Sequence, residues 1–182
     1  MTDRRQQILD TAAELFAERG FHGVSVHDIG AACGISGPAL YKHFKDKGEL
    51  LSASLTDISE TLLKEGSARA AAAESPSEAL DTLLDWHVEF ALRHPALIVV
   101  QDREWTNLAT TARRDVRALQ LSYIDIWVDT VQALRPELNH ETARAAVQAT
   151  FGLLNSTPHS ARIGPTEMRA LLIEMAHRSL AG

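Results

Sequence analysis

The chain has 182 residues, nearly half of them apolar, a net charge of −6 and a single cysteine. That length allows one sizeable core or a small module joined to a larger one. No apolar run approaches the roughly 18 residues of a membrane span, and the opening "MTDRRQQILD" enters a helical pattern with no signal-like apolar stretch, so a cytoplasmic protein is expected. One cysteine excludes an intrachain disulfide and a multi-cysteine metal site, and Cys33 reads as a small buried hydrophobe.

The periodicity predicts helices throughout, and no strand pattern competes. In "RRQQILDTAAELFAERG", Ile8, Ala12, Leu15 and Phe16 recur at helical spacing and Gly20 supplies a left-handed stop. A short second helix follows, with Ser25 as N-cap, Asp28 completing a capping-box variant, Ile29 and Ala32 facing inward and Gly34 at its end. Ser36 caps a third helix of about two turns, with Pro38 in its first turn and Leu40 and Phe44 placed for the core. Asp46 and Glu49 open a longer fourth helix whose stripe runs Leu51, Leu55, Ile58 and Leu62, with an end expected near Gly66. The nearest thing to a linker breaks close to Ser75 and Pro76, which with Glu78 start a fifth helix carrying Leu80, Leu83, Leu84, His87, Phe90 and Ala91 on one side. A sixth segment begins at Pro95 and a long seventh near Thr111. An eighth follows the Asn139 cap with Ala143, Val147 and Leu154, and a ninth starts at Pro165 with Met168, Leu171, Leu172 and Met175.

An acidic chain does not coat nucleic acid nonspecifically. Its charges are unevenly spread, however: residues 1 to 50 hold six Lys or Arg against seven Asp or Glu, with Lys42, Lys45 and Lys47 all downstream of Ser36. Two short helices joined by the tight turn "GIS", with a third helix before them, form a helix-turn-helix whose second helix enters the major groove. On that helix Tyr41, Lys42 and His43 can meet phosphates, Lys47 sits at the positive end of the fourth helix, and the small Gly37 and Ala39 permit close approach to base edges.

"SVHDIGAACGISGPALYKHFKDKGELL" resembles the signature of the TetR/AcrR transcriptional regulators, closely over residues 8 to 51 and by helical layout alone beyond them. The resemblance implies an all-α fold of about nine helices. Residues 1–46 would form an N-terminal three-helix DNA-binding domain and residues 47–182 a C-terminal ligand-binding and dimerisation domain. It implies that Ser25, Tyr41, His43 and Lys47 contact phosphate and that Gly37, Pro38, Ala39 and Lys42 face base edges, with Ser36 opening the recognition helix. His27 stands where many members carry arginine and Gly30 where alanine is usual, so His27 offers a weaker or pH-dependent phosphate contact. A homodimer paired through its last two helices, a double-stranded palindromic operator and a small effector are the implied partners.

Trp86, His87, Phe90, Trp105, Tyr123 and Trp127 are the candidate lining of an effector cavity among helices five to seven, although aromatics at this spacing also make ordinary core. "RRDVRALQLSYIDIW" resembles regulators of fatty-acid and acyl-CoA metabolism, and Arg103, Arg113 and Arg114 at a cavity mouth would suit a phosphorylated carrier. No cofactor fingerprint and no metal-ligand spacing such as His-Glu-x-x-His is present. Three readings stand: a ligand-responsive repressor, which leads; a constitutive DNA-binding or adaptor protein; and a small helical enzyme using Asp102, Glu104 and His87, which lacks a nucleophile motif.

Overall fold

Side chains at the helix starts set the architecture. In the computed structural model, which describes residues 4–182, every predicted cap takes up its bond. The backbone N–H groups that open a helix have no intrahelical acceptor. Ser25 accepts from Asp28, Ser36 from Ala39, Ser75 from Glu78 and Asn139 from Thr142, while Asp46 accepts from Glu49. The resulting α-helices are α1 (Arg4–Arg19), α2 (Val26–Ala32), α3 (Gly37–Leu40), α4 (Lys47–Ala72), α5 (Pro76–Arg93), α6 (Pro95–Glu104), α7 (Thr110–Leu134), α8 (His140–Leu154), α9 (Thr157–Ser160) and α10 (Pro165–Ala181). A 3-10 turn covers Trp105–Asn107, and there is no strand among the described residues. The nine predicted helices are all present; α9 is an additional single turn, tied by the Thr157 hydroxyl donating to Ala91 O at 2.6 Å.

Three local expectations are corrected. The recognition helix is α-helical for one turn rather than two. After Leu40 it tightens, with the Lys42 and His43 N–H groups reaching back to Ala39 O and Leu40 O. Ala32 lies exposed, and the residue buried beside Ile29 is Gly30, where a Cβ would sit 3.0 Å from Ile35 O. Gly66 does not end α4, which continues to Ala72; a Cβ at Gly66 would lie 2.4 Å from Cε2 of Tyr123. That glycine is a notch for close helix packing. Gly20 and Gly34 do adopt positive φ, at 74° and 66°, and stop α1 and α2.

The chain divides into two compact units, one comprising residues 1–59 and 96–117, the other residues 60–95 and 118–182. In the first, Ile8, Leu9, Ala12, Ala13 and Phe16 of α1, Ile29, Leu40, Phe44, and Leu50, Leu51 and Leu55 of α4 are buried. Arg4 donates to Cys33 O at 3.1 Å, and Arg5 pairs with Asp57 while lying over the Phe44 ring, so α1 braces the helix-turn-helix. Cys33 is buried and free. In the second unit α5, α7, α8 and α10 share one core in which Leu83, Leu84, Trp127, Val131, Val147 and Leu180 are fully buried. Among the described residues no helix is long and apolar enough to cross a membrane.

Candidate nucleic-acid interface and effector site

The surface of α2, α3 and the turn after α3 presents most of the expected DNA-contact residues to solvent. Ser25, His27, Ser36, Pro38, Tyr41, Lys42 and His43 are exposed, and Gly37 and Ala39 are partly so. Tyr41, at 55 % exposure, does not pack into the core. Ser25 is tied into its capping box: its hydroxyl donates to the Asp28 carboxylate at 2.5 Å and its N–H donates to the same group at 2.8 Å. These two bonds hold the Asp28 carboxyl below its usual range. The side chains of His27, Tyr41, Lys42 and His43 have no hydrogen-bond partner among the described residues, leaving their donors available to an incoming anion.

Lys47 is placed differently. Its ammonium donates to Phe21 O at 2.6 Å and Val24 O at 2.8 Å and lies 4.3 Å from the Phe21 ring centroid. It staples the α1–α2 turn to the start of α4. The same turn is gripped from α6: the buried Glu104 carboxylate accepts from Phe21 N–H at 3.1 Å and from the Asn107 amide at 2.7 Å, and Asn107 Oδ1 is 3.1 Å from His22 Nε2. Arg103 reaches Ala17 O at 3.4 Å. By its sequence Glu104 is a candidate only for the acid or base of an enzyme. Its partner is 83 residues away, and no spacing pattern reports such a bond.

In the second unit His87 is the hub of an aromatic cluster. Its ring stacks on Phe151 at 4.6 Å and Tyr123 at 5.8 Å and meets Phe90 and Trp127 edge-on. Nε2 faces Asn155 Oδ1 at 3.0 Å. Burial drives the imidazole pKa down to about 4, opposed only in part by the Asn155 bond, so the ring is neutral. Burial likewise raises the Tyr123 phenol above its ordinary value, and it stays a hydroxyl. Trp86 joins through Arg69, whose guanidinium lies 5.0 Å from the indole centroid. Five of the six expected lining residues thus share this unit, while Trp105 belongs to the other, in its 3-10 turn. Arg69, Phe151 and Asn155 were not singled out from sequence; a lone arginine in an alanine-rich helix end carries no local signal.

Of the expected mouth arginines, Arg103 is bonded to Ala17 O, Arg113 approaches the Thr110 hydroxyl at 3.4 Å, and Arg114 pairs with Asp115. Asp102 and Glu104 lie in the first unit and His87 in the second. No group of three or more metal-ligating side chains occurs among the described residues.

Two family models match the chain: that of the bacterial regulatory proteins of the tetR family over residues 8–54, and that of the tetracyclin repressor-like C-terminal domain over residues 73–159. The HTH-type transcriptional repressor KstR2 of Mycolicibacterium smegmatis is 30% identical over 143 residues, which are 75% of this chain and 70% of that protein. Among solved structures, the TetR-family regulator PfmR of Thermus thermophilus superposes with a TM-score of 0.83 at 24% identity, covering 100% of this chain and 98% of that one. AibR, solved with isovaleryl coenzyme A and operator DNA, does so with a TM-score of 0.76 at 20% identity, covering 98% and 99%. The chain opens on a helix-turn-helix and is all-α over its described residues, and it matches the family models over both its N-terminal and C-terminal parts: it belongs to the TetR family of transcriptional regulators and is not an enzyme.

Proposed function

We propose that the chain is a ligand-responsive repressor that binds a palindromic operator as a homodimer in the cytoplasm and is released by a small hydrophobic or amphipathic effector. The observation that carries the DNA half is the unpartnered Tyr41, Lys42 and His43 beside the small, partly exposed Gly37 and Ala39. A helix tip with small residues approaches base edges, and flanking donors fix it on phosphates. Ser25, His27, Tyr41 and His43 are the proposed backbone-side set, with Lys47 behind them holding the α1–α2 turn in place; Ser36, Gly37, Pro38, Ala39 and Lys42 face the bases. Residues 1–46 are the reading part, and residues 47–182 bind the effector and dimerise.

The dimer rests on the faces left open by the second unit. Ala143, Val147, Leu154, Met168 and Leu172 are consumed by the chain's own core, whereas Leu171 and Met175 stay 42% and 45% exposed, one turn apart on α10. Ala145, Ala149 and Gly152 form an exposed small-residue row on α8. Pairing α8 and α10 with their symmetry mates would bury both rows.

The effector half rests on the aromatic cluster around His87 and on the relatives: KstR2 is named a repressor, and AibR was solved with an acyl-CoA and DNA. An acyl-CoA is therefore the first class to test. Fluorescence anisotropy of a labelled operator duplex, titrated with acyl-CoAs of graded length, should show release. Ligand affinity should fall by the same factor when operator is present, typically about 5- to 150-fold. Equal ligand affinities with and without DNA would leave a constitutive DNA-binding protein instead.

A further inference from the structure

Five buried polar atoms in the second unit lack a well-formed hydrogen bond, Arg69 Nε, Trp86 Nε1, His87 Nδ1, Tyr123 Oη and Trp127 Nε1, and of these only the Tyr123 hydroxyl and the Trp127 indole lie close enough to bond to each other. The five residues are neighbours. The Arg69 guanidinium lies over the Trp86 ring and its charge acts on Tyr123; Tyr123 meets Trp127 edge-on at 6.1 Å and stacks with His87. Native interiors leave only a few such groups unpaired, and their gathering at one place needs a reason.

Their chemistry is lopsided. Indole N–H and guanidinium N–H groups only donate, so Arg69 and Trp86 each require an acceptor, whereas the Trp127 indole has the Tyr123 hydroxyl beside it. The Tyr123 hydroxyl can do either. His87 Nε2 faces the Asn155 carbonyl and so carries the proton, which leaves Nδ1 as the one obligate acceptor. Arg69 forms no ion pair with a carboxylate among the described residues, so its partly exposed guanidinium is free to take an anion at the edge of the aromatic interior. The complement of that set is a molecule with more acceptors than donors, a negative charge, and an apolar body that packs on rings.

We propose that this interior is the effector site and that it selects a hydrophobic carboxylic acid, its carboxylate held by Arg69 and Trp86 and its apolar body packed among Tyr123, Trp127 and His87. The inference rests on the ligand-response reading and narrows it from an amphipathic effector to a free acid. Entry separates α4 from α7 where Tyr123 fills the notch at Gly66. A bound acid therefore reshapes α4, which runs unbroken from Lys47 to Ala72 and begins at the Lys47 staple.

The test is binding of dodecanoate, 4-phenylbutyrate and cholate to the full chain, each beside its neutral amide and with dodecanoyl-CoA alongside. Native mass spectrometry and tryptophan fluorescence report occupancy, and operator anisotropy is read in parallel. At least one acid should bind, and its amide should bind roughly 10- to 100-fold more weakly, the range of a lost charge-assisted bond. Arg69→Met should abolish that preference, and Trp86→Phe, which keeps the ring and removes the N–H, should weaken the acid alone; cooperative melting confirms that each variant folds. Binding of no acid, equal binding of acid and amide, or a preference that survives both substitutions would overturn the proposal. Dodecanoyl-CoA binding where no free acid does would also overturn it while leaving ligand response intact. An acid that binds with the predicted preference yet leaves operator affinity unchanged would uphold the site and refute ligand response.

Discussion

Lys42 projects from the recognition segment with no partner, whereas the Lys47 ammonium is shared by two carbonyls of the α1–α2 turn. The two lysines should therefore fail differently. Lys42→Ala should weaken operator binding, relax base preference and reduce the log–log salt slope by roughly 0.9, the signature of one phosphate-range cation lost. Lys47→Ala should change the slope less and lower the melting temperature more, because it frees Phe21 O and Val24 O; binding measured at several salt concentrations, with melting curves, separates the cases. His87 makes a pH prediction. Its imidazole titrates near its ordinary value of 6.5 when unfolded but only at about 4 when buried. Between those values the unfolded chain holds the extra proton, so stability rises with pH through the window, is complete above it and is lost on acidification. The full effect is about 3 kcal/mol. The stability gap between wild type and His87→Phe, from urea unfolding, should accordingly narrow from pH 7 to pH 4.5; a constant gap would show that the ring is not buried neutral.

Helices owe their starts here to neighbours in sequence and their paths to neighbours in space. The N-caps at Ser25, Ser36, Asp46, Ser75 and Asn139 were legible because each cap and its N–H donor lie three residues apart. The apolar stripes of α5 and α7 were legible for the same reason of fixed period. Gly66 was not, since a glycine that ends a helix and one that admits a ring look alike until Tyr123 is seen against it. The Glu104 grip on Phe21 and the Arg69–Trp86 contact escaped likewise, being single long-range pairs without periodicity. The one-turn length of α3 was overestimated because the tightened turn after Leu40 keeps the same side chains on the same face. The notch at Gly66 gives a stability prediction. Gly66→Ala would ordinarily gain about 1 kcal/mol of helix propensity, yet the added methyl meets a rigid buried ring. Urea unfolding should show a net loss of about 1 to 3 kcal/mol; a gain would mean that Tyr123 moves aside freely.

For the whole molecule, an acidic chain reads a polyanion by concentrating donors on one small surface, and a single such surface is too small to specify a site. In the proposed dimer two copies would supply two recognition segments, which meet successive major grooves when roughly 34 to 36 Å apart. The exposed Leu171 and Met175 on α10 are the contacts proposed to hold that pair together. Leu171→Glu should produce a folded monomer by sedimentation and weaken operator binding at least about 100-fold, since each half-site then binds alone. The complex with DNA tests the proposed dimer directly. Sedimentation velocity of the chain with a fluorescent duplex carrying its own operator, at micromolar protein and moderate salt, counts the copies bound. An even number of chains per operator, resisting a large excess of random duplex and lost in Lys42→Ala, is the predicted result. One chain per duplex, or displacement by random DNA as readily as by operator, would contradict it.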